Sequence, residues 1–296
     1  MESGDAARPR DSSTEKWEGH MKKERTQQRK AQAAPAVDQP VRICFERIVP
    51  DALDPERMVR RSMRDQMIQV ESRDGKRKLK APELQHIARM AVQDSKRWEP
   101  GSTIRCRFLD GSAKMRKKVR KVAAEWQQYA DIKIRFVTSG DAEVRISFFA
   151  DAGSWSAVGR DCLNTAYFPV TQPTMNFGWL RDATDDTEYH RVVTHEFGHA
   201  LGCTHEHESP KFTRKWNVPA VMKYFQGPPN YWSAADIKSN VLHKYSAKGI
   251  SATQYDPNSI MLYAFDAALF SDGLGATNEN TNVSTMDKQM IKKMYP

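Results

Sequence analysis

Thr194–Ser209 reads THEFGHALGCTHEHES, and its spacing governs how the rest of the chain is read. His195 and His199 stand four residues apart. On an α-helix that leaves about 40° and about 6 Å of rise between them, so both imidazoles can reach one ion. Glu196 points about 60° away from His199. It flanks such an ion without competing to bind it, which suits a base acting on water beside a metal. His205 follows His199 by six residues and would point about 240° away on a continued helix. The helix therefore has to stop first. Gly202 stands where the stop is needed, because glycine takes the left-handed conformation that ends helices without a Cβ penalty. Three neutral imidazoles leave one position of a tetrahedral zinc ion open, as catalytic sites do and closed structural sites do not.

A second block lies downstream, where Tyr255–Tyr263 reads YDPNSIMLY. The extended H-E-x-x-H-x-x-G-x-x-H pattern followed by a methionine turn is the metzincin signature. With Glu206 directly after the third histidine and the turn Ser259-Ile260-Met261-Leu262-Tyr263, the chain resembles the astacin-type metzincin metallopeptidases. The resemblance implies one zinc ion per chain on His195, His199 and His205, with Glu196 as general base. It further implies Met261 as an apolar floor beneath the metal and Tyr263 as a phenol that swings to the oxyanion. Leu262 replaces the histidine usual in the turn, and Cys203 stands where a bulky apolar residue is common; neither change removes a ligand. Glu206 is expected to bond backbone or a neighbouring side chain and not to be catalytic, since residues 1–80 precede the domain.

The resemblance implies an α+β fold: a metzincin-like catalytic domain with a twisted mixed sheet, an edge strand along the cleft, two long helices and a mostly helical or irregular C-terminal subdomain. Residues 81–296 form the metallopeptidase domain, with 81–205 as upper subdomain and 206–296 as lower subdomain carrying the methionine turn. Residues 1–40 are rich in Lys, Glu, Gln, Arg, Ala and Pro and bury too little to offset ordering entropy, so they read as a disordered tail. Residues 41–80 are an N-terminal extension or a pro-like region. They hold a strand candidate at Val41–Val49, a helix candidate at Pro55–Val70 and a basic linker, SRDGKRKLK.

Within the domain, Leu84, Ile87, Ala88 and Ala91 recur at helical spacing, ending at the break Trp98-Glu99-Pro100-Gly101. Ile104–Phe108 alternates as a half-buried strand. Ser112 caps a helix with one apolar stripe of Met115, Val119, Val122, Trp126 and Tyr129. Ile132–Phe136 and Val144–Phe148 alternate again. Gly153–Arg160 reads as turn and loop. The resemblance makes Thr174–Trp179 the edge strand that receives an extended peptide, while the residues alone fit a buried strand equally well. The metal helix opens near Asp186 or Thr187. His190 and His207 are read as exposed, because the ligand set is already complete. Helices are expected at Val218–Phe225, Ala234–Tyr245 and Ser284–Met294, with a loop at 271–283.

Four cysteines are too few to define a disulfide framework. Small buried or free thiols are the plain reading, and a Cys162–Cys203 bridge is one alternative. Another is that Cys44, which shares the polar face of a strand at 41–49 with Arg42 and Glu46, plugs the zinc in a latent form. The net charge of +9 is local, concentrated in Lys76–Lys80 and Lys114–Lys121. The second group reads as the solvated face of the Ser112 helix, and no aromatic interleaving points to nucleic acid. The apolar runs fall well short of the ~20 residues a membrane span needs. The N-terminus shows no apolar signal segment, whereas the resemblance favours secretion, so location stays open. Protein or peptide substrates are expected, and oligomeric state is open. The expected activity is zinc-dependent endopeptidase; the alternative is a non-hydrolytic zinc-binding interaction module.

Overall fold

Ile104, Cys106 and Phe108 are the buried positions of an alternating run, and they place β2 (Thr103–Phe108) inside a mixed sheet. The computed structural model describes residues 44–49, 96–150, 153–227, 231–245 and 254–296, all within a compact unit running from Arg42 to Pro296. The tail at 1–40, the helix candidates at 55–70 and 84–91 and the linker at 72–80 lie outside the described residues. β3 (Lys133–Phe136) and β4 (Val144–Ser147) flank β2 in parallel. β6 (Met175–Asn176) joins β4 in parallel, and β5 (Ser154–Ala157) runs antiparallel to β6. β1 (Cys44–Arg47) adds to β5 in parallel, in register Cys44 to Ser154 through Arg47 to Ala157. The described sheet is therefore ordered β1-β5-β6-β4-β2-β3.

This order corrects two expectations. The strand within Thr174–Trp179 is not an edge strand: β6 lies between β4 and β5. Gly153–Arg160 is not simply turn and loop. It supplies β5, whose open side carries β1, and then a short 3₁₀ turn at Gly159–Leu163. Both differences come from strand partners distant in sequence, which local periodicity does not report.

β4 is buried at every position, as an interior strand of parallel pairs must be. Arg145 stays inside by donating to the carbonyls of Gln172 (2.7 Å), Phe168 (2.9 Å) and Ala142 (3.3 Å). These bonds satisfy a charge that would otherwise be costly to bury.

α1 (Ala113–Ala123) is capped by Ser112, whose hydroxyl accepts from the Met115 N–H at 3.1 Å. The apolar stripe outlasts the helix. Trp126 sits in a 3₁₀ turn at Ala124–Gln128 and donates its indole N–H to the Thr194 carbonyl at 3.0 Å. That bond ties α1 to α2 (Asp186–Ala200), against which it packs. The basic face of α1 is partly engaged within the molecule. The Arg120 guanidinium lies 5.3 Å from the Phe108 ring centroid and 5.0 Å from that of Phe136, and Lys118 pairs with Asp186 at 2.8 Å.

Beyond α2 come α3 (Val218–Gln226), α4 (Ala234–Asn240) and α5 (Thr285–Met294). α4 stops short of the expected Tyr245, because Tyr245 is drawn elsewhere. Its N–H donates to the Glu208 carbonyl at 2.8 Å and its hydroxyl to Glu46 Oε1 at 3.0 Å. Among the described residues no helix is long and apolar enough to cross a membrane.

Candidate metal centre

α2 is capped by Asp185, one residue before the expected cap; its carboxylate accepts from the Glu188 N–H at 2.8 Å. Asp186 and Glu188 fill the first turn, where the helix dipole favours negative charge. The helix ends as the glycine demanded. Gly202 has φ +95°, its N–H bonds the His199 carbonyl at 2.7 Å, and the Cys203 N–H bonds the Gly198 carbonyl at 3.0 Å. This pair of bonds is a Schellman closure. Two ring donors satisfy carbonyls the closure leaves free: Trp98 Nε1 reaches Ala200 O at 2.9 Å and the Tyr295 hydroxyl reaches Leu201 O at 2.6 Å. The break at Trp98 thus has a structural use that its sequence did not announce.

Past the closure the chain doubles back, and three imidazoles meet. The Nε2 atoms of His195 and His199 are 3.1 Å apart, those of His199 and His205 3.0 Å, and those of His195 and His205 3.3 Å. The Nδ1 atom of His195 faces the Ile260 carbonyl at 2.8 Å, and that of His199 faces the Cys203 carbonyl at 2.8 Å. A carbonyl only accepts, so both Nδ1 atoms carry the proton and both Nε2 lone pairs point inward. Burial holds all three rings below the ordinary histidine pKa, so they stay neutral. Lone pairs converging at such distances repel unless a cation lies between them. Tetrahedral zinc with Zn–N bonds of 2.0–2.1 Å places its nitrogens roughly 3.3–3.4 Å apart. The three histidines fit that ion.

Glu196 is fully buried beside the trio, and among the described residues its carboxylate meets no hydrogen-bond donor other than the neighbouring Cys44 thiol. Burial raises its pKa well above the carboxylate range, with the neighbouring Cys44 thiol and Arg191 offsetting part of the shift. Ligand atoms of Cys44, His195 and Glu196 lie within 4.8 Å of one another. The Tyr263 hydroxyl is adjacent to His205 Nε2 and donates to the Cys44 carbonyl. The N-terminal strand therefore brings both a thiol and a carbonyl to the groups expected to do chemistry. All four cysteines are free, so the Cys162–Cys203 bridge is not formed; the plain reading of buried thiols holds for Cys106 and Cys162.

The methionine turn is held from two sides. The Ser259 hydroxyl donates to Asp287 Oδ1 at 2.7 Å and accepts from the Met261 N–H at 3.1 Å, while Ile260 N–H reaches Asp287 Oδ2 at 2.8 Å. The Met261 carbonyl accepts from the Glu206 N–H at 3.0 Å, which joins the turn to the third histidine. Glu206 Oε1 accepts from the Asp256 N–H at 2.9 Å, as its non-catalytic reading expects. Met261 packs under α2 so closely that a Cβ on Gly198 would stand 2.5 Å from its sulfur and 3.4 Å from the Trp126 ring. Gly198→Ala is expected to destabilise the fold by about 1–3 kcal/mol through overpacking. That corresponds to a drop of about 2–4 °C in Tm per kcal/mol for a domain of this size, and scanning calorimetry reads it.

A layer behind the trio escaped the sequence reading. His207 is buried, not exposed: its Nε2 donates to the Asn240 carbonyl at 3.1 Å, and its ring lies 4.9 Å from Tyr263 and 5.1 Å from Phe265. Burial pushes its pKa down to about 4. Of the aromatic residues around it, Tyr263 and Phe265 come from far along the chain, so the adjoining sequence does not announce them. His190 is half-buried, bonded to the Thr281 carbonyl and to Glu125, each at 2.6 Å; like His207 it stands outside the trio. Glu46, also on β1, lies 3.7 Å from His199 Nδ1 and 4.0 Å from His205 Nδ1. Glu208 faces it, and burial together with the Glu46 carboxylate holds Glu208 protonated well above the carboxylate range.

Comparison with known proteins agrees with this geometry. A family model described as Matrixin matches residues 98–216. A solved structure of myroilysin is 41% identical with a TM-score of 0.66, covering 68% of this chain and 96% of myroilysin. A second, crystal structure of myroilysin is 40% identical with a TM-score of 0.53, covering 68% of this chain and 86% of that one. Protein SpAN of Strongylocentrotus purpuratus is 23% identical over 184 residues, 60% of this chain and 25% of SpAN. The chain thus spans a quarter of that relative's length.

Proposed function

The chain belongs to the metzincin metallopeptidases, and from that premise we propose that it is an astacin-like, zinc-dependent endopeptidase. His195, His199 and His205 hold the ion, Glu196 is the base and Tyr263 the oxyanion donor. The observation that carries the reading is the convergence of three Nε2 atoms within 3.0–3.3 Å beside the buried Glu196 carboxylate. Zinc held there would supply Lewis acidity and lower the pKa of a water at the site towards neutrality. Glu196 accepts the proton of the attacking water and returns it to the leaving amine. The Tyr263 hydroxyl, released from the Cys44 carbonyl, donates to the oxyanion; such a donor is typically worth about 3–4 kcal/mol.

A second part of the reading concerns β1. It lies on the sheet edge as an added peptide would, with Cys44 beside His195 and Glu196 and its carbonyl on Tyr263. We read this arrangement as a latent form in which Cys44 would join the three histidines in holding a bound zinc ion.

Elemental analysis of the purified chain is expected to give one zinc per molecule. Once Cys44 is displaced or replaced, the protein is expected to cleave a denatured protein substrate, to stop on chelation and to recover on zinc addition. One zinc per chain with no cleavage in either state would favour the non-hydrolytic module instead.

A further inference from the structure

The outward face of β1 carries Arg47, two residues past the position opposite Trp155. The Arg47 guanidinium carbon lies 4.6 Å from the Trp155 ring centroid, 5.2 Å from that of Phe168 and 5.3 Å from that of Tyr167. Three ring faces thus surround one cation, all within the ≈ 6 Å over which the attraction operates. The rings are set by the domain and not by the strand that visits them. Trp155 and Phe168 stack at 6.4 Å with 20° between planes, and Tyr167 meets Phe168 edge-on at 4.8 Å. The Phe168 N–H bonds the Asn164 carbonyl at 2.8 Å, and the Tyr167 N–H bonds the Asn164 side chain at 3.0 Å. Asp161 marks the end of the same lane by accepting from the Val49 N–H at 3.1 Å. A seat ordered before its occupant arrives binds without a further ordering penalty.

We propose that the faces of Trp155, Tyr167 and Phe168 form a subsite for a cationic side chain, arginine above all, of the peptide that replaces β1 on the β5 edge. The proposal rests on the endopeptidase reading for its substrate and on the Arg47 contacts for its chemistry. Side chains alternate along a strand. Cys44 and Glu46 turn to the metal helix, and Arg47 shows where an outward side chain of a bound peptide lands. A planar guanidinium matches ring faces better than the compact, strongly hydrated lysine ammonium, and an aliphatic chain has no charge for the rings to attract.

The test has two readouts on the full chain. In the first, the rate of Cys44 alkylation, mapped by mass spectrometry, reports how firmly β1 is seated. Arg47→Met is expected to raise that rate about fivefold to tenfold, and Arg47→Lys by less than about threefold, on the scale of one desolvated cation–ring contact. Equal protection by Met and Arg would overturn the subsite whether or not the protein cleaves anything. The second is a set of peptides bearing Arg, Lys, Leu, Ala or Glu at successive positions, offered to zinc-loaded chain carrying both Cys44→Ala and Arg47→Met. At one position Arg is expected to exceed Ala by about tenfold in kcat/KM, through KM. Tyr167→Ala should cut the preference severalfold, and Tyr167→Phe should keep it. Cleavage indifferent to Arg, or favouring Leu at every position, would overturn the proposal. Absence of all cleavage would instead overturn the endopeptidase reading, and the alkylation rates would still decide the seat.

Discussion

Glu196→Gln is expected to keep one zinc per chain and lose two to four orders of magnitude in kcat, with KM little changed, because a positioned general base contributes about 10²–10⁴. Among the described residues the Glu196 carboxylate meets only the Cys44 thiol, so the fold depends little on it, and an amide of the same shape fills the same space. What the amide lacks is a lone pair basic enough to take a proton from water. Burial has already raised the carboxylate's proton affinity, moving it from the acidic range towards the one in which a base is useful. Zinc content and steady-state kinetics on a variant also carrying Cys44→Ala separate the outcomes. Unchanged kcat would remove Glu196 from the mechanism. Loss of zinc together with activity would make it a structural support of the metal.

The proposed ligands, the helix stop at Gly202 and the methionine turn were legible because each is a local pattern with a local cause. Four-residue spacing aligns two imidazoles, a glycine at φ +95° ends the helix, and Ser259 folds back on Met261 two residues later. What supports these features was not legible. Trp98 and Tyr295 close the carbonyl end of α2 from positions 102 and 94 residues away. β5 becomes a strand only because β6 and β1 supply partners from either side in the sheet. His207 reads as exposed once three other histidines complete the ligand set, yet Phe265 and Trp216 close over it. Chemistry at this site is written in short range, and its enclosure in long range.

Cys44→Ala in the full, zinc-loaded chain is expected to raise kcat/KM on a denatured protein at least about tenfold, a shift of about 1.4 kcal/mol in favour of the open site. A neutral thiol here is held protonated by burial and by Glu196. A divalent cation reverses that balance, since a coordinating thiol gives up its proton. The displaced proton has a receiver close by: Glu196 lies in the same cluster as Cys44 and His195 and carries a raised pKa of its own. With zinc on the three histidines, transfer from sulfur to carboxylate would let Cys44 hold the metal and would leave Glu196 protonated and unable to act as base. Both needs of the proposed reaction, an open metal position and a free carboxylate, would then be blocked by one side chain and one proton. Alanine removes both blocks, and serine should give a smaller rise because a hydroxyl is a weaker ligand. Cobalt(II) substitution supplies a readout apart from activity. A sulfur-to-metal charge-transfer band is expected in the parent chain and not in Cys44→Ala. Identical spectra and identical rates in the two proteins would leave Cys44 a buried thiol and nothing more.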